Sequence, residues 1–338
     1  MKTIKTLALA GVVAAFGVTG AEAGDQLNAI KSKDFIQCGV NTGLAGFSIA
    51  DSQGNWTGLD VDVCRAIAAA TLGDAGKVKY TPTTAQQRFT ALQSGEIDIL
   101  SRNTTWTLTR DVSLGMTFTG VTFYDGQGFM VPKSLGITSA EELDGAEVCV
   151  QTGTTTELNL ADYFRAQGME FRPVVFESLE ESISAFFNGR CQVYTTDRSG
   201  LASIRAADAP NPDDFVVLPE TISKEPLGPA VRRGDDEWFS IVRWVVFALI
   251  EAEEYGITSQ NVDDMKANST NPSIQRLLGA SGEMGQLLGL NNDWAYQAIK
   301  QVGNYGEIFE RNITPIGLAR GPNELWTKGG LMYAPPVR

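Results

Sequence analysis

From residue 35 onward the apolar positions switch between two spacings. Short apolar runs at 35–40, 78–80 and 97–100 have the length and β-branched content of strands, and between them residues 61–72 and 86–94 carry helical periodicity. This alternation predicts a parallel, doubly wound α/β sheet. The pattern then repeats, with strands at 147–151, 172–176 and 191–195 and helices at 155–167 and 179–188. An extended segment at 126–132 (GQGFMVP) joins the halves, and a second at 224–232 (KEPLGPAVR) follows the last strand of the second half. Two crossings insert one lobe into the other. The expected division is 24–128 plus 229–338 for the first lobe and 129–228 for the second, with the paired connections serving as a hinge. An apolar, amphipathic helix follows at 238–254, and the remaining tail, with a helix at 294–302, is expected to pack back on the first lobe.

Residues 1–23 interrupt this pattern. Lys2 and Lys5 precede an apolar run from 7 to 18, then Ala21-Glu22-Ala23, the order of a cleavable secretory leader. Export is expected, with no lipid anchor because no cysteine follows the cleavage site, and no later apolar run reaches the ~20 residues of a membrane span. The formal charge is −13, and loss of the leader removes two lysines and one glutamate, making it one unit more negative. Nucleic acid and anionic lipid are therefore poor partners. About 315 residues remain, enough for two lobes at the usual ~150 per domain.

The four cysteines, Cys38, Cys64, Cys149 and Cys191, form no CxxC motif, so zinc and thioredoxin-like chemistry find no foothold. In an exported chain they favour two disulfides, expected within each half as Cys38–Cys64 and Cys149–Cys191, although four cysteines allow three connectivities. Histidine is absent, which removes the commonest general base and metal ligand. No metal, cofactor or catalytic residue is expected.

The candidate chemistry lies at strand ends. In GEIDILSRNTTWTLTR, residues 95–110, an apolar strand runs into hydroxyl and amide residues and ends on Arg110. Open α/β sheets bind ligands at that end of their strands. In the second half a strand enters Thr152-Gly153-Thr154-Thr155-Thr156-Glu157 and a helix. Gly153 permits close backbone approach there, Thr154 and Thr155 offer hydroxyls and N–H groups to an anion, and Glu157 reads as a capping carboxylate. A guanidinium at Arg110 can hold a carboxylate with two hydrogen bonds, and Asp197, ending the strand at 191–196, can accept from an ammonium. Together they describe a site for a zwitterion.

These residues resemble the periplasmic binding proteins of polar amino-acid ABC transporters. The resemblance rests on Gly58-Leu59-Asp60-Val61-Asp62-Val63, Leu92-Gln93-Ser94-Gly95-Glu96-Ile97-Asp98, Thr105-Trp106-Thr107-Leu108-Thr109-Arg110, Val150-Gln151-Thr152-Gly153-Thr154-Thr155 and 189–197, in that order, and covers about residues 30–255. The tail with Gly303-Asn304-Tyr305-Gly306-Glu307-Ile308-Phe309 is similar to the general L-amino-acid branch. The resemblance implies a type II, two-lobed periplasmic-binding-protein fold, a monomer that captures a free L-amino acid in the periplasm, and an inner-membrane ABC permease as partner. It further implies that Arg110, the N–H and hydroxyl of Thr155 and the N–H of Thr105 hold the ligand's α-carboxylate. The ammonium falls to Asp197, the carbonyl of Asn103 and the hydroxyl of Thr105.

Where basic amino-acid binders place aromatic rings, this chain has Leu44 and Ala85. Arg88 stands where acidic amino-acid binders place an arginine for the side-chain carboxylate, and Gln86 and Gln87 extend its polar reach. Broad or polar to acidic specificity is expected, with Phe47 and Trp56 in the core. A prephenate-type dehydratase on the same fold is the alternative, with Glu157 or Asp125 as its general acid. A sensing ectodomain is disfavoured by the lack of a membrane span or downstream catalytic domain.

Overall fold

A computed structural model describes residues 24–338; the expected leader, 1–23, lies outside them. Two five-stranded sheets carry the chain. The first runs Val78–Thr83, Ile36–Asn41, Ile99–Leu100, Ala230–Arg232, Met116–Phe118. Its first three strands are parallel and Ala230–Arg232 is antiparallel to both neighbours. The second sheet, Phe171–Phe176, Ala146–Gln151, Val193–Asp197, Gln127–Pro132, Phe215–Val217, repeats the plan, with Gln127–Pro132 as the antiparallel member. The connector expected at 126–132 is thus mostly an interior strand, all of it buried except Pro132 at its end.

The crossings themselves pair. Phe123–Asp125 and Glu225–Leu227 form a two-stranded antiparallel ribbon in which Asp125 stands opposite Glu225. The architecture is therefore the expected one, two α/β lobes with doubly wound sheets joined by two hinge segments.

The helix Leu59–Leu72 (LDVDVCRAIAAATL) is apolar nearly all round and buried along most of its length, so it needs cover on two faces. One face lies on the first sheet. The tail helix Trp294–Val302 packs along the other, where alanines allow close approach. The buried Asp62 carboxylate ties the tail down by accepting from Arg311 and Asn312 at 2.6 and 2.7 Å. The tail also reaches the hinge, where the Asn323 side chain accepts from Tyr124 N at 2.7 Å and donates to Tyr124 O at 3.1 Å. Each cystine lies within its own half of the molecule. Cys38 in the first strand bonds to Cys64 in the following helix, and Cys149 bonds to Cys191 just before the strand Val193–Asp197.

Candidate functional site

The parallel strands of both sheets bring their carboxyl ends to one cleft. Asn41, Arg102 and Asn103 reach it from the first sheet, and Gln151, Thr196 and Asp197 from the second. Between them lies a cavity also lined by Leu44, Arg88, Thr105, Thr154, Thr155 and Gly200. The walls touch, since Gln86 Nε2 lies 3.5 Å from Thr152 Oγ1 and Arg88 Nη2 donates to Gly153 O at 3.4 Å. Gly153 has φ 75°, and a Cβ there would sit 2.6 Å from Gln86 Cγ. Glycine is therefore needed at this turn, for the close approach of Gln86 as much as for its left-handed backbone.

The first wall is cationic. Arg88, Arg102 and Arg110 are all buried, and among the described residues none of them makes an ion pair within 4.0 Å. Burial is the main influence on all three, pushing Arg102 and Arg110 down to about 10 and Arg88 well below the usual guanidinium range. Phe89 supports two of them, its ring centre 4.7 Å from the Arg88 guanidinium and 5.1 Å from that of Arg110. Arg110 stands behind the cavity lining. Its Nη1 donates to Thr105 O at 3.0 Å, and the negative groups that act on it are Glu225 and Asp197.

The second wall holds one exposed demand for a cation. Asp197 is buried, and its Oδ1 has no hydrogen-bond partner among the described residues. Burial first, then the nearby Asp125 and Glu225, raises its carboxyl well above the ordinary range, against the pull of Arg110 and Arg88. Around it the helix Thr155–Gln167 begins with Thr154 as its cap, the Thr154 hydroxyl accepting from Glu157 N at 3.1 Å. The Glu157 carboxylate accepts from Gly153 N and Thr152 Oγ1, both at 3.1 Å. This is the expected capping arrangement, and it engages the Gly153 N–H.

Asn103 has a φ of 27°, uncommon for a residue with a side chain. Its N–H donates to Asp60 Oδ2 at 2.7 Å and its Oδ1 accepts from Asn41 at 3.0 Å, bonds that hold the strained backbone in place. Burial raises Asp60 to about 6. Gln87 lies outside the cavity, in a surface depression with Pro82, Gln86 and Glu177. Phe47 is buried edge-on against Phe123, and Trp56 packs on Tyr80. Phe47 sits in the core, as expected, and Trp56, only partly buried, packs against it.

Two residues absent from the sequence expectation stand at the centre of this geometry. Arg102, two residues beyond the strand Ile99–Leu100, lines the cavity; its Nε donates to Thr83 O at 3.1 Å while its Nη2 has no partner among the described residues. Glu225, in the hinge ribbon, accepts from the hydroxyls of Thr105 at 2.6 Å and Thr155 at 2.9 Å, one from each wall. Its other oxygen accepts from Asn159 and Ser223 at 2.7 and 2.6 Å. The strand-end rule points to Arg102. Nothing in the local sequence places Glu225 against those threonines.

Residues 36–261 match the family described as bacterial extracellular solute-binding proteins, family 3. The chain is 61% identical over 336 residues to the general L-amino acid-binding periplasmic protein AapJ of Rhizobium johnstonii, covering 98% of each. It is 56% identical over 336 residues to the glutamate/glutamine/aspartate/asparagine-binding protein BztA of Rhodobacter capsulatus, again covering 98% of each. Among solved structures, an ABC transporter/periplasmic binding protein from Brucella ovis with glutathione bound superposes with a TM-score of 0.91 at 58% identity, over 93% of this chain and 99% of that one.

Proposed function

Since the chain belongs to the bacterial extracellular solute-binding proteins, family 3, we propose that it is a periplasmic receptor that closes on a free L-amino acid and delivers it to an inner-membrane ABC permease. The observation that carries this reading is the placement of buried guanidiniums and an unsatisfied buried carboxylate on opposite walls of one cavity. A dipolar ligand completes both, and a site that excludes water requires such completion. We assign Arg110, Thr155 and the Thr105 N–H to the α-carboxylate, and Asp197, the Asn103 carbonyl and the Thr105 hydroxyl to the ammonium. Thr154 and Gly153 shape the helix start, and Arg88 faces the ligand's side chain, with Gln87 at the rim. The lobes divide at 24–128 plus 229–338 and 129–228, and the receptor acts as an exported monomer.

Ligand contacts from both lobes favour the closed arrangement by their difference between the two states. The names of the relatives, one a general L-amino-acid binder and one a binder of glutamate, aspartate and their amides, support broad or polar to acidic specificity. The dehydratase alternative is less favoured, because neither candidate acid lines the cavity: Glu157 serves as a cap, and Asp125 sits in the hinge accepting from Gly126 N and Ser199 N. A thermal-shift screen of the twenty amino acids tests the proposal. A ligand at about 100 times its Kd adds about 2.7 kcal/mol, so at least one should raise the melting temperature measurably; no response to any of them would refute the receptor reading.

A further inference from the structure

We infer that Arg102 is a specificity-determining residue that selects amino acids carrying a side-chain carboxylate. The inference rests on the receptor reading and adds to it a residue and a ligand class. Arg102 is 2% exposed and lines the cavity. Its Nε is anchored on the Thr83 carbonyl at the end of Val78–Thr83, one strand beyond the neighbouring Ile36–Asn41, which fixes the guanidinium plane, and its Nη2 finds no partner among the described residues. The nearest candidate to neutralise it, Asp60, is engaged by Ser101 Oγ at 3.3 Å and Asn103 N at 2.7 Å and makes no ion pair with it.

The neighbouring arginines have other engagements. Both terminal nitrogens of Arg88 are engaged, by Thr104 Oγ1 and, across the cleft, by Gly153 O, leaving only its Nε without a partner among the described residues, and Arg110 donates to Thr105 O. A zwitterion alone supplies one anion, which Arg110 takes. A second buried guanidinium with a free donor in a fixed plane is matched by a second carboxylate, because charge-assisted bonds to a planar fork are strong and a desolvated, unpaired cation is costly.

Arg102 could instead be only a brace that ties two strand ends through Thr83, and the two roles differ in what a substitution does to different ligands. Calorimetric titration of the full chain with L-glutamate, L-glutamine and L-alanine separates them. Arg102→Gln should weaken glutamate by at least about tenfold while changing alanine by less than about threefold. Equal losses for all three ligands, or no loss for glutamate, would overturn the inference. If Arg102→Gln does not fold, Arg102→Lys decides the same question. It keeps the charge but not the fork, so the glutamate-over-alanine ratio should fall at least about threefold, and an unchanged ratio counts against the inference. Failure of the unaltered chain to bind glutamate, or equal losses in the variant, removes this inference alone, whereas silence toward all twenty amino acids removes the receptor reading with it.

Discussion

The two cavity walls are built on the same plan and do opposite work. Each comes from a five-stranded sheet with four strands running one way and one antiparallel strand in the same place, and each scaffold carries one cystine. On the first sheet the strand ends and the following helix supply Arg88, Arg102 and Arg110; on the second they supply threonine hydroxyls and the Asp197 carboxylate. Repetition of a scaffold therefore does not repeat its chemistry. On the proposed reading, the partners of a dipolar ligand are divided between the two walls, so neither wall satisfies it alone.

The contrast breaks most completely at Arg110. Arg110→Met should abolish amino-acid binding in calorimetry, because a ligand carboxylate left unpaired in a buried site costs about 3 to 5 kcal/mol; near-native affinity would remove Arg110 from the first wall's role. Asp197→Asn attacks the other wall and should act in two directions. Affinity should fall by about 2 to 4 kcal/mol through loss of the ammonium's partner, yet the unliganded protein should melt no lower than the parent, since a buried carboxylate with an orphan oxygen is removed.

Glu225 joins the walls. Glu225→Ala leaves four donors, on Thr105, Thr155, Asn159 and Ser223, without their acceptor. A loss of about 2 kcal/mol in denaturant unfolding is expected, and an unchanged midpoint would show that the bridge adds nothing.

The smallest effect sharpens the comparison through pH. The folded Asp197 keeps its proton to well above the usual carboxylate range, whereas a ligand ammonium favours the ionised form, so binding should expel a proton. Affinity should accordingly climb as pH rises from about 4 and level off where Asp197 is already ionised without ligand, with a limiting slope of about 1.4 kcal/mol per pH unit. Titrations in two buffers of different protonation enthalpy measure the released proton directly. Identical heats would exclude it.

Much of the scaffold can be read from periodicity alone. The helices Thr155–Gln167 and Trp294–Val302 coincide with the apolar spacing to the residue, and the cysteine pairing follows from one pair per half. The three-residue strands Met116–Phe118 and Phe123–Asp125 were not legible, because so short a segment shows no period and its pairing is decided by distant chain. The site divides in the same way. Arg110, Thr105, Thr155 and Asp197 stand in local motifs at strand and helix ends. Glu225 acts through contacts about 70 and 120 residues away in sequence, which no local pattern records.

The clasp of Asn323 on Tyr124 has a mechanical consequence. With its N–H and its carbonyl both held by one amide from the tail, Tyr124 cannot swing its backbone without losing two bonds at once. The terminal extension, remote from the cavity in sequence, thus stiffens one strand of the ribbon that joins the two sheets.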